Sequence, residues 1–166
     1  APRLHGTSTA VRRVGQRRVE RIHVQGAGVT DGHDSKELRR MYASAWRKQC
    51  ETSGLSPQEA QIADVIEVHP EYHDAVTGDL EQDFAVDDGQ TNPFLHMGLH
   101  LGIREQVATD RPPGIAAIFQ SLADKSGDLH HAEHRMIDCL AETLWEAQRA
   151  NQAPDESAYI DRLRKL

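Results

Sequence analysis

Apolar residues recur along most of this chain at the three- and four-residue spacing of amphipathic α-helices, and no useful period-two alternation typical of a β-strand occurs. A helix is predicted to begin at Asp34 or Ser35. A second begins at Ser56, where Ser-Pro-Gln-Glu is a capping-box signature. Further helices are predicted from Asn92 to about Ala108, from Ile115 to about Gly127, from Asp128 to about Ala150, and from Pro154 onward. The pattern therefore predicts an all-α fold, a compact bundle of about five or six helices.

The third of these helices carries apolar side chains around most of its circumference, which is typical of a helix at the centre of a bundle. Gly98 and Gly102 lie one turn apart on it. Each glycine costs about 1 kcal/mol of helix propensity relative to alanine. We therefore expect that a neighbouring helix approaches closely at these two positions.

The 166 residues divide by composition into a tail and one domain. Residues 1–33 contain six arginines against two acidic residues, a net charge of +4, and little that could form a core. Residues 34–166 contain 13 basic and 24 acidic residues, a net charge of -11. We predict that residues 1–33 are a disordered basic tail or an extension, that residues 34–166 form a single helical domain, and that Thr77 to Gln90 is a long acidic loop.

Charge, cysteine content and hydropathy limit the classes of partner and compartment. The acidic domain disfavours nucleic-acid binding, although the basic tail could contact a polyanion. No apolar run is long enough to span a bilayer or to serve as a secretory signal. Cys50 and Cys139 are not in a metal-binding or redox spacing. These features predict a soluble cytoplasmic protein that does not contact a membrane.

The histidines carry the most specific chemical signal. Seven of the ten lie in residues 34–166, and six of these seven form HxxxH pairs: His69 with His73, His96 with His100, and His130 with His134. Side chains four residues apart on a helix lie about 5–6 Å from each other, so two imidazoles can hold one cation. The second and third pairs also continue apolar stripes, and a buried imidazole needs a hydrogen-bond partner or a metal.

The first pair and the carboxylates are expected to supplement this site. Pro70 disfavours a helical conformation at His69, so we expect His69 to end a helix, from which His73 could still reach inward; ligand and structural roles both stay open for this pair. Asp138 lies one turn beyond His134 and is a candidate ligand, with Glu133, Glu105, Glu71 and Asp64 as more remote candidates. No Glu in residues 34–166 lies three residues before a histidine, which disfavours a ferritin-like di-iron site.

The leading hypothesis is a bundle that binds one or two transition-metal ions, with zinc or iron favoured. The predicted ligands are His96, His100, His130 and His134, supplemented by His73, His69 and Asp138. An open coordination position could activate water or let iron react with oxygen, so catalysis is left open. The alternative is a metal-free acidic interaction or adaptor domain whose histidines form a structural or pH-responsive core.

Three segments carry a family resemblance: IADVIEVHPEYH, GQTNPFLHMGLHLGIREQVATDRPPGI and HHAEHRMIDCLAETLWEAQRA, which begin at Ile62, Gly89 and His130. Over about residues 34–166 the chain resembles domain of unknown function 1841, a family of small bacterial proteins. The resemblance implies a small helical cytoplasmic protein and no particular activity. Hemerythrin-like and DinB-like bundles offer a more distant analogy, because they also gather histidines from facing helices around metals.

Overall fold

The computed structural model describes residues 32–80 and 92–166, and within these ranges the chain is helical without a β-strand. The all-α prediction is therefore confirmed. The predicted basic tail lies almost entirely outside the described residues, as does most of the predicted acidic loop. The helices are α1 (Gly32–Cys50), α2 (Pro57–Glu67), α3 (His73–Thr77), α4 (Pro93–Thr109), α5 (Ile115–Ser126), α6 (Leu129–Ala150) and α7 (Glu156–Leu163), with a 3-10 turn at Pro70–Tyr72.

Side-chain caps fix where the helices that carry the histidines begin. Ser56 Oγ accepts the Glu59 amide at 3.2 Å and the Glu59 carboxylate accepts the Ser56 amide at 2.9 Å, which completes the predicted capping box. Asn92 caps α4, and Asp128 caps α6 by accepting two backbone amides. Helix α1 begins at Gly32, two residues earlier than the sequence pattern predicted.

Two apolar clusters form the core, and α4 contributes to both. One cluster combines α4 with α5, α6 and α7, around buried residues such as Ile103, Ile115 and Met136. The other combines α1, α2 and α3 with Phe94 and Met97 of α4. The prediction that this helix occupies the centre agrees with the packing, because α4 contacts α2 on one side and both α5 and α6 on the other.

The expected close approach at the α4 glycines does not occur. A Cβ atom at Gly98 would lie 3.9 Å from the Tyr42 hydroxyl, an ordinary van der Waals separation. Among the described residues, a Cβ atom at Gly102 would meet nothing within 4 Å. Neither glycine is therefore required by a neighbouring helix, and that prediction is wrong.

Among residues 32–80 and 92–166, no helix combines the length and the apolar character needed to cross a bilayer.

Candidate metal centre

Five imidazole rings from three parts of the chain meet in the interior between α4, α6 and the end of α2. Neighbouring ring centroids lie 4.4 to 6.0 Å apart. We call this group the histidine cluster; its members are His69, which follows α2, His96 and His100 of α4, and His130 and His134 of α6. The cluster links the helices of one apolar cluster to those of the other.

The nitrogen atoms of the cluster are close enough to share one ion. One ring nitrogen from each of His69, His100, His130 and His134 can be chosen so that all four lie within 4.8 Å of one another. His100 Nε2 lies 3.1 Å from His69 Nε2 and 3.2 Å from His96 Nε2. The four histidines can therefore hold a metal ion.

Hydrogen bonds at Nδ1 determine where two of the rings carry their protons. His69 Nδ1 lies 2.7 Å from the Val65 carbonyl oxygen, and His100 Nδ1 lies 2.7 Å from Glu133 Oε2. A carbonyl and a carboxylate only accept, so each Nδ1–H must donate. When such a ring is neutral, its Nε2 carries no proton and offers a lone pair. Two such Nε2 atoms face each other at 3.1 Å.

Glu133 has a second partner that fixes its own position. Arg104 Nε donates to Glu133 Oε1 at 2.7 Å, and Arg104 NH2 donates to Oε2 at 3.3 Å. Burial by itself would raise the pKa of Glu133, but the hydrogen bonds from His100 and Arg104 outweigh it and lower that pKa to about 2. The carboxylate is therefore ionised, and both of its oxygens are already used.

Burial disfavours the charged form of His69, His96 and His130. His69 and His100 are fully buried and His96 is 4% exposed. Burial, together with the neighbouring imidazoles, lowers the pKa of His69 to about 4 and that of His96 to about 2. Burial also lowers the pKa of His130, whose side chain is 30% exposed. Neutral imidazole is the form that ligates metals.

Of the first HxxxH pair, the structure places His69 inside the histidine cluster and His73 outside it. Helix α2 ends at Glu67, and the 3-10 turn that starts at Pro70 redirects the chain so that the His69 ring enters the cluster. His73 does not reach it: its Nε2 donates to the Ile66 carbonyl at 3.0 Å, and its ring packs on Trp46 with centroids 4.5 Å apart. The inward orientation considered for His73 does not occur, because this hydrogen bond holds it on α2.

The structure does not bring the predicted carboxylate ligand into the cluster either. Asp138 is exposed on α6. Within the described residues, the group of four potential ligands contains only histidines. Glu133, which the sequence offered as a remote ligand candidate, instead binds the far side of the His100 ring. Asp138 and His73 thus lie outside the histidine cluster, which contains the four grouped histidines His69, His100, His130 and His134 together with His96.

Two neighbours of the cluster were not assigned from the sequence. Arg104 extends the row formed by His96 and His100 by one further turn, and that spacing was the available signal for its contact with Glu133. The Tyr72 ring stacks on His69 with centroids 5.5 Å apart and lies 5.6 Å from His96. Tyr72 therefore packs against two rings of the histidine cluster.

These features define a class: an all-α protein with an interior cluster of imidazoles supported by a buried carboxylate. The family follows from the sequence, because residues 34–165 match the family described as domain of unknown function (DUF1841). The chain belongs to this family, as its three motifs indicated. No curated protein and no solved structure shows significant similarity to the chain. The comparisons therefore provide a family without an activity.

Proposed function

We propose that this protein binds one transition-metal ion in the histidine cluster. The observation that carries the proposal is the pair of Nε2 atoms of His69 and His100, 3.1 Å apart, whose Nδ1–H groups are both committed to acceptors on the other side of the ring. Two neutral rings held in this way direct lone pairs at each other. A cation between them converts this repulsion into two bonds.

The alternative is a metal-free cluster held by N–H···N hydrogen bonds, as in an interaction domain with a structural histidine core. His100 Nε2 is near both His69 Nε2 and His96 Nε2. His96 can donate to it, but a hydrogen bond between His69 and His100 requires one of them to become an imidazolium. Burial opposes that charge on His69. In the metal-free alternative the additional proton therefore lies on His100, where the Glu133 carboxylate pairs with it.

The donor set favours one class of ion. Imidazole nitrogen suits zinc, iron, copper and nickel, whereas magnesium and calcium prefer oxygen ligands. One ion rather than two is favoured because the four donor atoms lie within 4.8 Å of one another and no bridging carboxylate accompanies them in the described residues. Zinc and iron are the ions to test first.

Elemental analysis of protein purified without an affinity tag or chelator tests the proposal. We expect close to one equivalent of metal per chain, and we expect the His69→Ala/His100→Ala variant to lose it. His131→Ala is the matched control, because His131 neighbours His130 on α6 but is exposed. A folded wild-type protein that takes up no zinc, iron, copper or nickel would refute metal binding and favour the metal-free alternative.

A further inference from the structure

The Nδ1 side of the His100 ring is held by an ion pair that joins two helices and whose carboxylate also lies 3.8 Å from His130 Nδ1. His100 and Arg104 lie on α4, and both donate to the carboxylate of Glu133 on α6. Glu133 is 5% exposed and His100 is fully buried, so solvent screens these contacts little. The Glu133 carboxylate thus accepts hydrogen bonds from two side chains of α4.

This arrangement fixes three properties of His100 at once. The hydrogen bond at Nδ1 selects the tautomer whose Nε2 is unprotonated, and it orients the ring plane. Its acceptor is an anion, which makes the imidazole a stronger electron donor than a neutral acceptor would. The near-parallel contacts from Arg104, at 2.7 and 3.3 Å, hold the carboxylate in a single orientation.

We propose that Glu133 and Arg104 are positioning residues of the metal centre: Glu133 holds His100 ready to ligate, and Arg104 favours binding only while it is paired with Glu133. The inference rests on the proposed metal-binding function. Glu133 does not belong to the group of four potential ligands, and Arg104 offers no lone pair, so neither residue is proposed to ligate the ion. A guanidinium without its carboxylate partner would repel a dication, so the effect of Arg104 on affinity depends on whether Glu133 is present.

The experiment is a double-mutant cycle with zinc as the probe. The Kd is measured by chelator competition for wild type, Glu133→Gln, Arg104→Met and the double variant. We expect Glu133→Gln to weaken zinc binding about 10- to 100-fold. Arg104→Met weakens binding in the wild-type background. In the Glu133→Gln background it strengthens binding, because it removes an uncompensated positive charge.

The exposed carboxylate Asp138, five residues further along α6, provides the matched control. Asp138→Asn likewise replaces a carboxylate by an amide and should leave the Kd within about twofold at neutral pH, since Asp138 is outside the group of four histidines and His100 Nδ1 bonds to Glu133 instead. The absorption spectrum of the cobalt-substituted protein gives a second measurement. It should change in Glu133→Gln, because a neutral amide replaces the anionic acceptor and makes His100 a weaker donor, and should stay unchanged in Asp138→Asn.

The outcomes separate this inference from the proposed function. If the wild type binds no metal, the proposed function fails and this inference fails with it. If the wild type binds zinc while Glu133→Gln has the same Kd and cobalt spectrum, only the positioning role is refuted. If Glu133 and Arg104 have a purely structural role, their variants should have a lower free energy of unfolding in the metal-free protein. The effect of Arg104→Met on the zinc Kd should then have the same sign in the wild-type and Glu133→Gln backgrounds. If Glu133→Gln alone does not fold, the double variant is compared with Arg104→Met, and an equal Kd overturns the inference.

Discussion

Replacement of Gly102 by alanine should stabilise the protein, and this change tests the description of α4 directly. Gly102 lies in the interior of α4 (Pro93–Thr109), where a glycine loses more backbone entropy on folding than an alanine does. An added Cβ would meet no atom within 4 Å. The substitution therefore improves helix propensity without a steric cost.

The expected gain follows from these two facts. Alanine is favoured over glycine by about 1 kcal/mol in a helix interior. Because nothing has to move, this gain should appear almost in full as a higher free energy of unfolding. For a domain of this size, about 1 kcal/mol raises Tm by about 3–5 °C.

Gly127→Ala is the matched control, because a Cβ there also meets nothing within 4 Å. The two positions differ in backbone conformation: Gly127 ends α5 with φ of +69°, in the left-handed region. An L-residue with a Cβ costs about 1–2 kcal/mol in that region. Urea unfolding should therefore show Gly102→Ala more stable than wild type and Gly127→Ala less stable.

A loss of stability in Gly102→Ala would refute the reasoning. It would mean that another helix does approach at this position, as the glycine spacing had suggested. Zinc binding by Gly102→Ala should match that of wild type, since the backbone around His100 is unchanged.

Three further predictions concern groups outside the histidine cluster. Burial raises the pKa of Cys139 to about 11, whereas Cys50 is exposed. A thiol reagent should therefore label one cysteine in the native protein and two in denaturant. Labelling of both in the native state would contradict the burial of Cys139 on α6. Burial raises the pKa of Tyr42 from 10.0 to about 12, so its contribution to stability is complete below pH 10 and is lost as the pH rises towards 12. Alkaline unfolding followed by circular dichroism should begin in that range, and Tyr42→Phe should reduce the slope; an unchanged slope would rule out this cause. Ser56→Ala should cost about 1 kcal/mol in urea unfolding, because it removes the cap of α2, whereas a negligible change would mean that packing alone fixes this helix end.

The sequence predicted the helices well because their apolar spacing and caps are local signals. Ser56, Asn92 and Asp128 mark helix starts by the hydrogen bonds that their own side chains make. The HxxxH spacing likewise indicated four members of the histidine cluster, since residues four apart share one helix face.

The remaining contacts depend on chain direction and distant packing. The choice between His69 and His73 depends on how the turn at Pro70 redirects the chain, which spacing does not encode. The contact between Glu133 and His100 joins residues 33 positions apart, and helix periodicity gives no information about such a pair. For the same reason, Asp138 continued the row of His130 and His134 but lies on an exposed part of α6.

Helix α4 contributes to both apolar clusters, and this determines which fragment of the chain can fold by itself. Residues 92–166 contain every member of the apolar cluster around Met136, whereas residues 32–80 lack the wall that Phe94 and Met97 supply to theirs. A peptide bond cut between residues 80 and 92 should therefore leave a C-terminal fragment able to fold alone. The N-terminal fragment should acquire structure only when the other is added, with α4 as its template.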